Sequence, residues 1–269
     1  MTNNLQTRLE TLVAASGVEA GIAIETLDGN DAVFIHADTV YHAASTMKIA
    51  VMVELFRQAE AGNVQLTETM PVVNEFKSIV DGSPYHLDQE YDLEQTLYAG
   101  QPHTLAALCH LMITVSSNLA TNLLMERLGI AHIQATLHDL DIQGLQIQRG
   151  LQDLKAFDAG INNTTTARAL ARLLLLIGQH RILSAAACDT MLGILKQQHF
   201  RDAIPAQLPA GIEVGNKTGE ITGHYHDAAV VFAPRPFVIV ILTRGLSEDR
   251  QSAPLIAEIA RLAYTAINP

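Results

Sequence analysis

Two rhythms of apolar residues run along this chain, and each marks a different kind of element. Leu5, Leu9 and Leu12 recur at helical spacing in the opening MTNNLQTRLETLVAASG, which predicts an amphipathic helix. The stretches from Ala20 to Thr26 and from Ala32 to His36 are strand-like. Leu27-Asp28-Gly29-Asn30 between them is a hairpin turn signal. Ser45 opens a predicted helix through Met47, Ile49, Val51, Val53 and Leu55, ending at Gly62. Two more helices are predicted from Thr104 to Val115 and from Leu119 to Leu128, the second stopped by Gly129. Thr166 is a predicted N-cap for a helix from Ala167 to Ile177 that Gly178 ends, and Ser184 caps another running to Lys196. Residues 145–165 carry no clear period, and a loop of that length is usually functional or disordered. Strand patterns return from Ile212 to Thr218, Asp227 to Phe232 and Phe237 to Thr243, with Pro234-Arg235-Pro236 turning between the last two. A closing helix is predicted from about Asp249 to Ile267.

Strands at both ends and helices between them predict an α/β (α+β) fold. One antiparallel sheet would form from both chain ends, flanked by terminal helices, with an all-helical lobe inserted. The expected organisation is a single unit, 1–269, with a sheet lobe of about 1–44 and 200–269 and a helical lobe of about 45–199. A cleft is expected where the lobes meet.

Composition narrows the function. A chain of 269 residues can bury a large core, and 48% hydrophobic with 17% charged residues is a globular composition. A net charge of −11 repels phosphate backbones, so nucleic acid is not an expected partner, and no polybasic patch points to a membrane surface. No stretch approaches the ~18 consecutive apolar residues of a spanning helix. The opening segment lacks the basic-then-apolar order of a signal peptide, so the cytoplasm is the expected compartment as the sequence stands; a removed leader would mean the periplasm or export. Cys109 and Cys188 lie in no CxxC or CxxH cluster and are expected as small buried residues, not zinc ligands.

Three short motifs carry chemistry. Ser45-Thr46-Met47-Lys48 puts a hydroxyl and an amine three residues apart at a helix start, where Cβ atoms lie about 5–6 Å apart. A lysine in a dry site can take the serine's proton, and free helix N–H groups favour a developing anion. The plain alternative is an N-cap serine beside a solvated lysine, and S-x-x-K alone arises by chance on the order of once in a chain this long. Ser116-Ser117-Asn118 places a hydroxyl and a carboxamide between two helices, fit to relay a proton and hold a substrate amide, or simply to make a turn capped by Asn118. Lys217-Thr218-Gly219 offers a charge, a hydroxyl and close backbone approach at a strand end, or else an ordinary strand end. Glu220 can offer its N–H beside that of Ser45 as an oxyanion donor.

The three motifs occur in this order with matching flanks: Ala43-Ala44 before Ser45, Leu108-Cys109, Leu119 to Leu124 after Asn118, Thr164-Thr165-Thr166, and Val214-Gly215-Asn216 before Lys217. Over most of its length the chain resembles the class A β-lactamases and related penicillin-recognising serine hydrolases. The resemblance implies that Ser45 forms an acyl-enzyme, Lys48 helps deprotonate it, and Ser116 passes a proton to the leaving amine. It further implies that Lys217 and Thr218, flanked by Gly219, hold the substrate carboxylate and that the N–H groups of Ser45 and Glu220 bind the oxyanion, while Asn118 stays the candidate for holding a substrate amide. The expected substrate is a small molecule, with no cofactor, no metal ion and a monomeric protein.

The chain also departs from the family pattern. The family's water-activating glutamate has no counterpart, since no glutamate lies between Glu126 and Glu213. Matching Arg149 and Leu154 puts Leu151 in its place, and Asp153 is the nearest carboxylate but one methylene shorter, at a position that is usually structural. Ser117 replaces an aspartate, and Glu220 brings a negative charge beside the expected carboxylate pocket. His224, Tyr225 and His226 stand where an arginine often grips that carboxylate, which leaves His226 or Arg244 to substitute. His224 and His226 share a strand face but lack a third ligand for a metal. Cys109 occupies a half-cystine position whose partner position is Met52, so that disulfide cannot form, in agreement with a reducing compartment. The expected activity is cleavage of β-lactam or related amide bonds through an acyl-serine intermediate, with slow release of the acyl group. The alternatives are a D-Ala-D-Ala-type peptidase, a small-ester hydrolase, or a β-lactam-binding sensor domain.

Overall fold

The computed structural model describes residues 2–245 and 252–269, with side chains from residue 4 onward. The chain opens with α1 (Thr2–Ser16), β1 (Glu19–Thr26), β2 (Ala32–Ile35) and the short β3 (Tyr41–His42). A 3-10 turn over Ala44–Met47 leads into α2 (Lys48–Glu60). The short strands β4 (Thr69–Met70), β5 (Phe76–Lys77), β6 (Pro84–Tyr85) and β7 (His103–Thr104) precede α3 (Leu105–Thr114), α4 (Asn118–Leu128) and α5 (Ile130–Asp139). Then come α6 (Leu154–Asp158), β8 (Thr164–Thr165), α7 (Ala167–Gly178) and α8 (Ala185–Lys196). The chain closes with β9 (Glu213–Ile221), β10 (His224–Phe232), β11 (Phe237–Arg244) and α9 (Ala253–Ile267). The expected start of the last helix, Asp249, lies outside the described residues.

The sheet is built from both chain ends, as expected. Its strand order is β2-β1-β11-β10-β9, and every neighbouring pair is antiparallel. The central strand β11 is buried along almost its whole length, which is why it reads as a continuous apolar run. Leu5, Leu9, Ile256 and Ile259 of α1 and α9 pack with Ile22, Ile24, Ile239 and Ile241 in one apolar core. Helix α7 lies against β1, β10 and β11, and α8 against β9.

The division into units differs from the expected lobes. One unit holds the residues up to Thr46, Ile142–Leu145 and those from Thr164 onward; the other holds Met47–Asp141 and Gln146–Asn163. Helices α7 and α8, expected in the helical lobe, belong with the sheet because their apolar faces, such as Leu170, Leu173, Leu174 and Ile177, are buried in that unit. In the helical unit α2 packs with α3, α4 and α5. Helix α5 was not expected: Gly129, at φ 86°, ends α4 and at once leads into α5, so its stop signal is also a start.

Two local corrections bear on the site. Ser45 does not open an α-helix; Ala44 takes a left-handed φ of 45°, the chain makes a 3-10 turn, and α2 starts only at Lys48. Lys217-Thr218-Gly219 does not end its strand either, since pairing with β10 carries β9 on to Ile221. The aperiodic stretch is ordered by its own polar groups. Asn163 Oδ1 accepts from the N–H groups of Gln148 and Arg149 at 2.8 and 3.1 Å, and the Arg149 guanidinium donates to the carbonyls of Ile161 and Gly150 and to Asn162 Oδ1. These bonds tie the two ends of the loop together. Cys109 and Cys188 are buried thiols. Among the described residues no helix is long and apolar enough to cross a membrane.

Candidate active site

The candidate residues divide between the units. Ser45, Lys217, Thr218, Gly219 and Glu220 lie in the sheet unit, and Lys48, Ser116 and Asn118 lie in the helical unit.

In the sheet unit the turn carrying Ser45 is held from behind. The N–H of Ala44 donates to Nδ1 of His42 at 3.0 Å, and the Thr46 hydroxyl donates to the Ala43 carbonyl at 2.6 Å. These bonds stabilise the left-handed Ala44 just before the serine. Strand β9 passes directly over this turn. A Cβ added to Gly219 would come within 3.1 Å of the Ser45 nitrogen and 3.0 Å of Thr46 Cγ2. The first and third motifs therefore meet here at backbone distance, and Gly219 is the residue that permits it. Thr218 and Glu220 share one face of β9, with Thr218 buried and Glu220 exposed.

Lys217 is fully buried and donates to the Thr218 carbonyl at 2.8 Å. Burial drops its ammonium pKa to about 7, against the pull of the nearby Asp227. Asp227 is itself pushed up to about 6 by burial, although it accepts from the Asn216 amide at 3.0 Å and from the Ile204 N–H at 3.0 Å. Neither expected substitute for the family arginine is a free cation. His226 is buried, accepts the Thr243 N–H at Nδ1 (3.1 Å) and donates from Nε2 to the His42 carbonyl (2.9 Å). Burial lowers its pKa to about 4, which leaves a neutral ring. Arg244 makes a bidentate pair with Glu19 at 2.8 and 2.6 Å and lies 5.0 Å from the Tyr41 ring centroid. Among the described residues no three His, Cys, Asp or Glu side chains gather as metal ligands.

In the helical unit the second motif closes on the first motif's lysine. Lys48 is fully buried, and its Nζ donates to the Ser116 carbonyl at 2.7 Å, to Asn118 Oδ1 at 2.9 Å and to Ser116 Oγ at 3.1 Å. Ser116 reaches this position through a left-handed φ of 59°. The cap of α4 is Ser117 and not Asn118: the Ser117 hydroxyl accepts the Ala120 N–H, which frees the Asn118 carboxamide for the lysine.

The same unit holds the two candidate loop residues, Leu151 and Asp153. Asn122, one turn beyond Asn118 on α4, holds the Leu151 peptide from both sides: its Oδ1 accepts the Leu151 N–H at 2.8 Å and its Nδ2 donates to the Leu151 carbonyl at 3.0 Å. Asp153 is buried and fully engaged, accepting from Ser78 Oγ, the Ile79 N–H and the Ala156 N–H, where it caps α6. Asn122 was not singled out in the sequence. A second asparagine four positions after Asn118, on the same helix face, was the available signal.

Comparison with known proteins places the chain in a family. The family model described as the beta-lactamase enzyme family matches residues 4–267. The beta-lactamase of Streptomyces albus G is 25% identical over 276 residues, 97% of this chain and 83% of that protein. Among solved structures, an acyl-enzyme complex of penicillin G with a leucine-to-glutamate mutant of PBP-A has a TM-score of 0.83 at 28% identity, over 98% of this chain and 96% of the other. The beta-lactamase from Sphaerobacter thermophilus has a TM-score of 0.83 at 26% identity, over 97% and 96%. A match of this length, joined to the paired motifs described above, means that the chain belongs to the beta-lactamase enzyme family.

Proposed function

We propose that this chain is a serine hydrolase of the class A β-lactamase type, acting on β-lactam or related amide and ester bonds through an acyl group on Ser45. One observation carries the assignment of roles: the buried Lys48 amine is gripped by Ser116 and Asn118, an arrangement a plain interhelix turn does not require. In the proposed reaction Lys48 first gives up one of its three N–H donors, and the lone pair so exposed takes the proton of Ser45 as Oγ bonds to the carbonyl carbon. The oxyanion rests on the N–H groups of Ser45 and Glu220. The tetrahedral species collapses with loss of the C–N bond; Ser116 delivers its proton to the departing nitrogen and regains one from the Lys48 ammonium, 3.1 Å from its Oγ, so the proton taken from Ser45 ends on the leaving nitrogen. Lys217 and Thr218 hold a substrate carboxylate where there is one.

Release of the acyl group is proposed to be slow. Leu151 offers no base for the attacking water, and the Asp153 oxygens are occupied by N–H and O–H donors. This supports the second reading, a D-Ala-D-Ala-type peptidase, esterase or penicillin-binding sensor, over a fast resistance enzyme. Intact mass after incubation with penicillin tests the assignment. A long-lived adduct equal to the added penicillin is expected, and Ser45→Ala is expected to remain unmodified. Rapid return to the unmodified mass contradicts slow release, and an adduct on Ser45→Ala contradicts the nucleophile.

The charge on Lys217 gives a second expected outcome. Its pKa is lowered to about 7, so the cation is present below that pH and lost above it. The ratio of penicillin acylation to acylation by an uncharged aryl ester is expected to fall as pH rises through about 7, because the ratio cancels what both reactions share at Ser45 and Lys48. A ratio that stays flat from about pH 6 to about pH 9 would remove Lys217 as the carboxylate's partner.

A further inference from the structure

We propose that Asp92 is a positioning residue for the Ser116-Ser117-Asn118 turn, delivering from a distant segment the carboxylate that Ser117 lacks. The proposal rests on the acyl-serine reading above. Asp92 is 2% exposed, and both carboxylate oxygens are committed. Its Oδ2 accepts the Ser117 hydroxyl at 2.9 Å and the Leu119 N–H at 2.9 Å, and its Oδ1 accepts the Glu94 N–H at 3.1 Å. The Leu119 N–H is one of the donors that a helix leaves unpaired in its first turn. Having given its proton to Asp92, the Ser117 hydroxyl accepts the next such donor, the Ala120 N–H, at 3.1 Å. A carboxylate at this end of α4 is also favoured by the helix dipole. An aspartate at position 117 would serve these donors from inside the motif; here a serine and a remote aspartate divide the task.

The consequence falls on the neighbours of Ser117. Ser116 and Asn118 flank it, and both hold the Lys48 amine. Ser116 has a φ of 59°, a conformation that persists only when its surroundings fix it. The segment that bears Asp92 touches Asn118 as well, since the Tyr91 carbonyl accepts from Asn118 Nδ2 at 3.5 Å. Asp92 thus acts on the reaction through the turn, without touching substrate.

The exchange of the two groups tests this. Asp92→Ser alone is expected to lower the saturating rate constant for Ser45 acylation by about 10²-fold, with the dissociation constant of the preceding complex nearly unchanged, as expected of a displaced catalytic turn. Asp92→Ser combined with Ser117→Asp returns the carboxylate to the motif and is expected to recover the rate to within about fivefold of the parent. Asp92→Asn, close in shape, serves where Asp92→Ser does not fold, and is expected to lose rate in the same way. A purely structural role predicts a lower Tm with an unchanged rate constant in the folded protein, and that result overturns the proposal. So does a double variant that regains its Tm but not its rate. A parent chain that never acquires an acyl group under any substrate overturns the acyl-serine reading, and this proposal with it.

Discussion

Replacing Lys48 by alanine is expected to lower the rate of Ser45 acylation by about 10³-fold, inside the range that a positioned general base contributes. The amine lies fully buried and donates to three oxygens of the Ser116 and Asn118 segment. Its removal takes away the proposed proton acceptor and the anchor of the second motif together. Stopped-flow acylation with a chromogenic cephalosporin reads the loss. Lys48→Met, which keeps the length of the side chain but not its nitrogen, separates packing from chemistry: it is expected to fold like the parent and to acylate as poorly as the alanine variant. An alanine variant that stays within about tenfold of the parent would remove Lys48 from the mechanism.

Replacing Gly219 by alanine is expected to cost about 10²-fold in the same rate, through a methyl group pressed against the serine turn. The added Cβ would meet the backbone nitrogens of Ser45 and Thr46 at 3.1 Å each and Thr46 Cγ2 at 3.0 Å. Backbone atoms in a bonded turn cannot rotate aside as a side-chain end can, so the turn itself must move by a few tenths of an ångström. That displacement falls on Ser45, the proposed nucleophile, and on its N–H, the proposed oxyanion donor. The loss is expected in the saturating rate with only a small change in Tm, because the neighbouring core of β10 and β11 is untouched. An unchanged rate would mean that the contact between β9 and the serine turn is loose in solution.

What the sequence disclosed was what its local chemistry determines. The caps Thr166 and Ser184 accept N–H groups three residues on, as their residue types require. The sheet from both ends was legible because β1, the second half of β10 and β11 are apolar runs and turn residues separate the strands. The extension of β9 through Gly219 and Glu220 was not, since both are weak strand formers held by pairing with β10. The start of α2 was misplaced for a similar reason: nothing in the composition of Ala43-Ala44 signals a left-handed alanine, which is held by His42. The charge state of the site was the least legible part. His226 reads as an available imidazole until its two nitrogens are seen committed beneath the sheet, and Arg244 as a free cation until Glu19 is seen across from it. Asp92 serves Ser117 from 25 residues away, a distance at which no local pattern links them.

Every role proposed above requires that Ser45 carry the acyl group. Digestion of the penicillin-treated protein followed by peptide mass mapping locates the adduct directly. The added mass is expected on the peptide bearing Ser45 and on no other. The same mass on a peptide lacking Ser45 would contradict it.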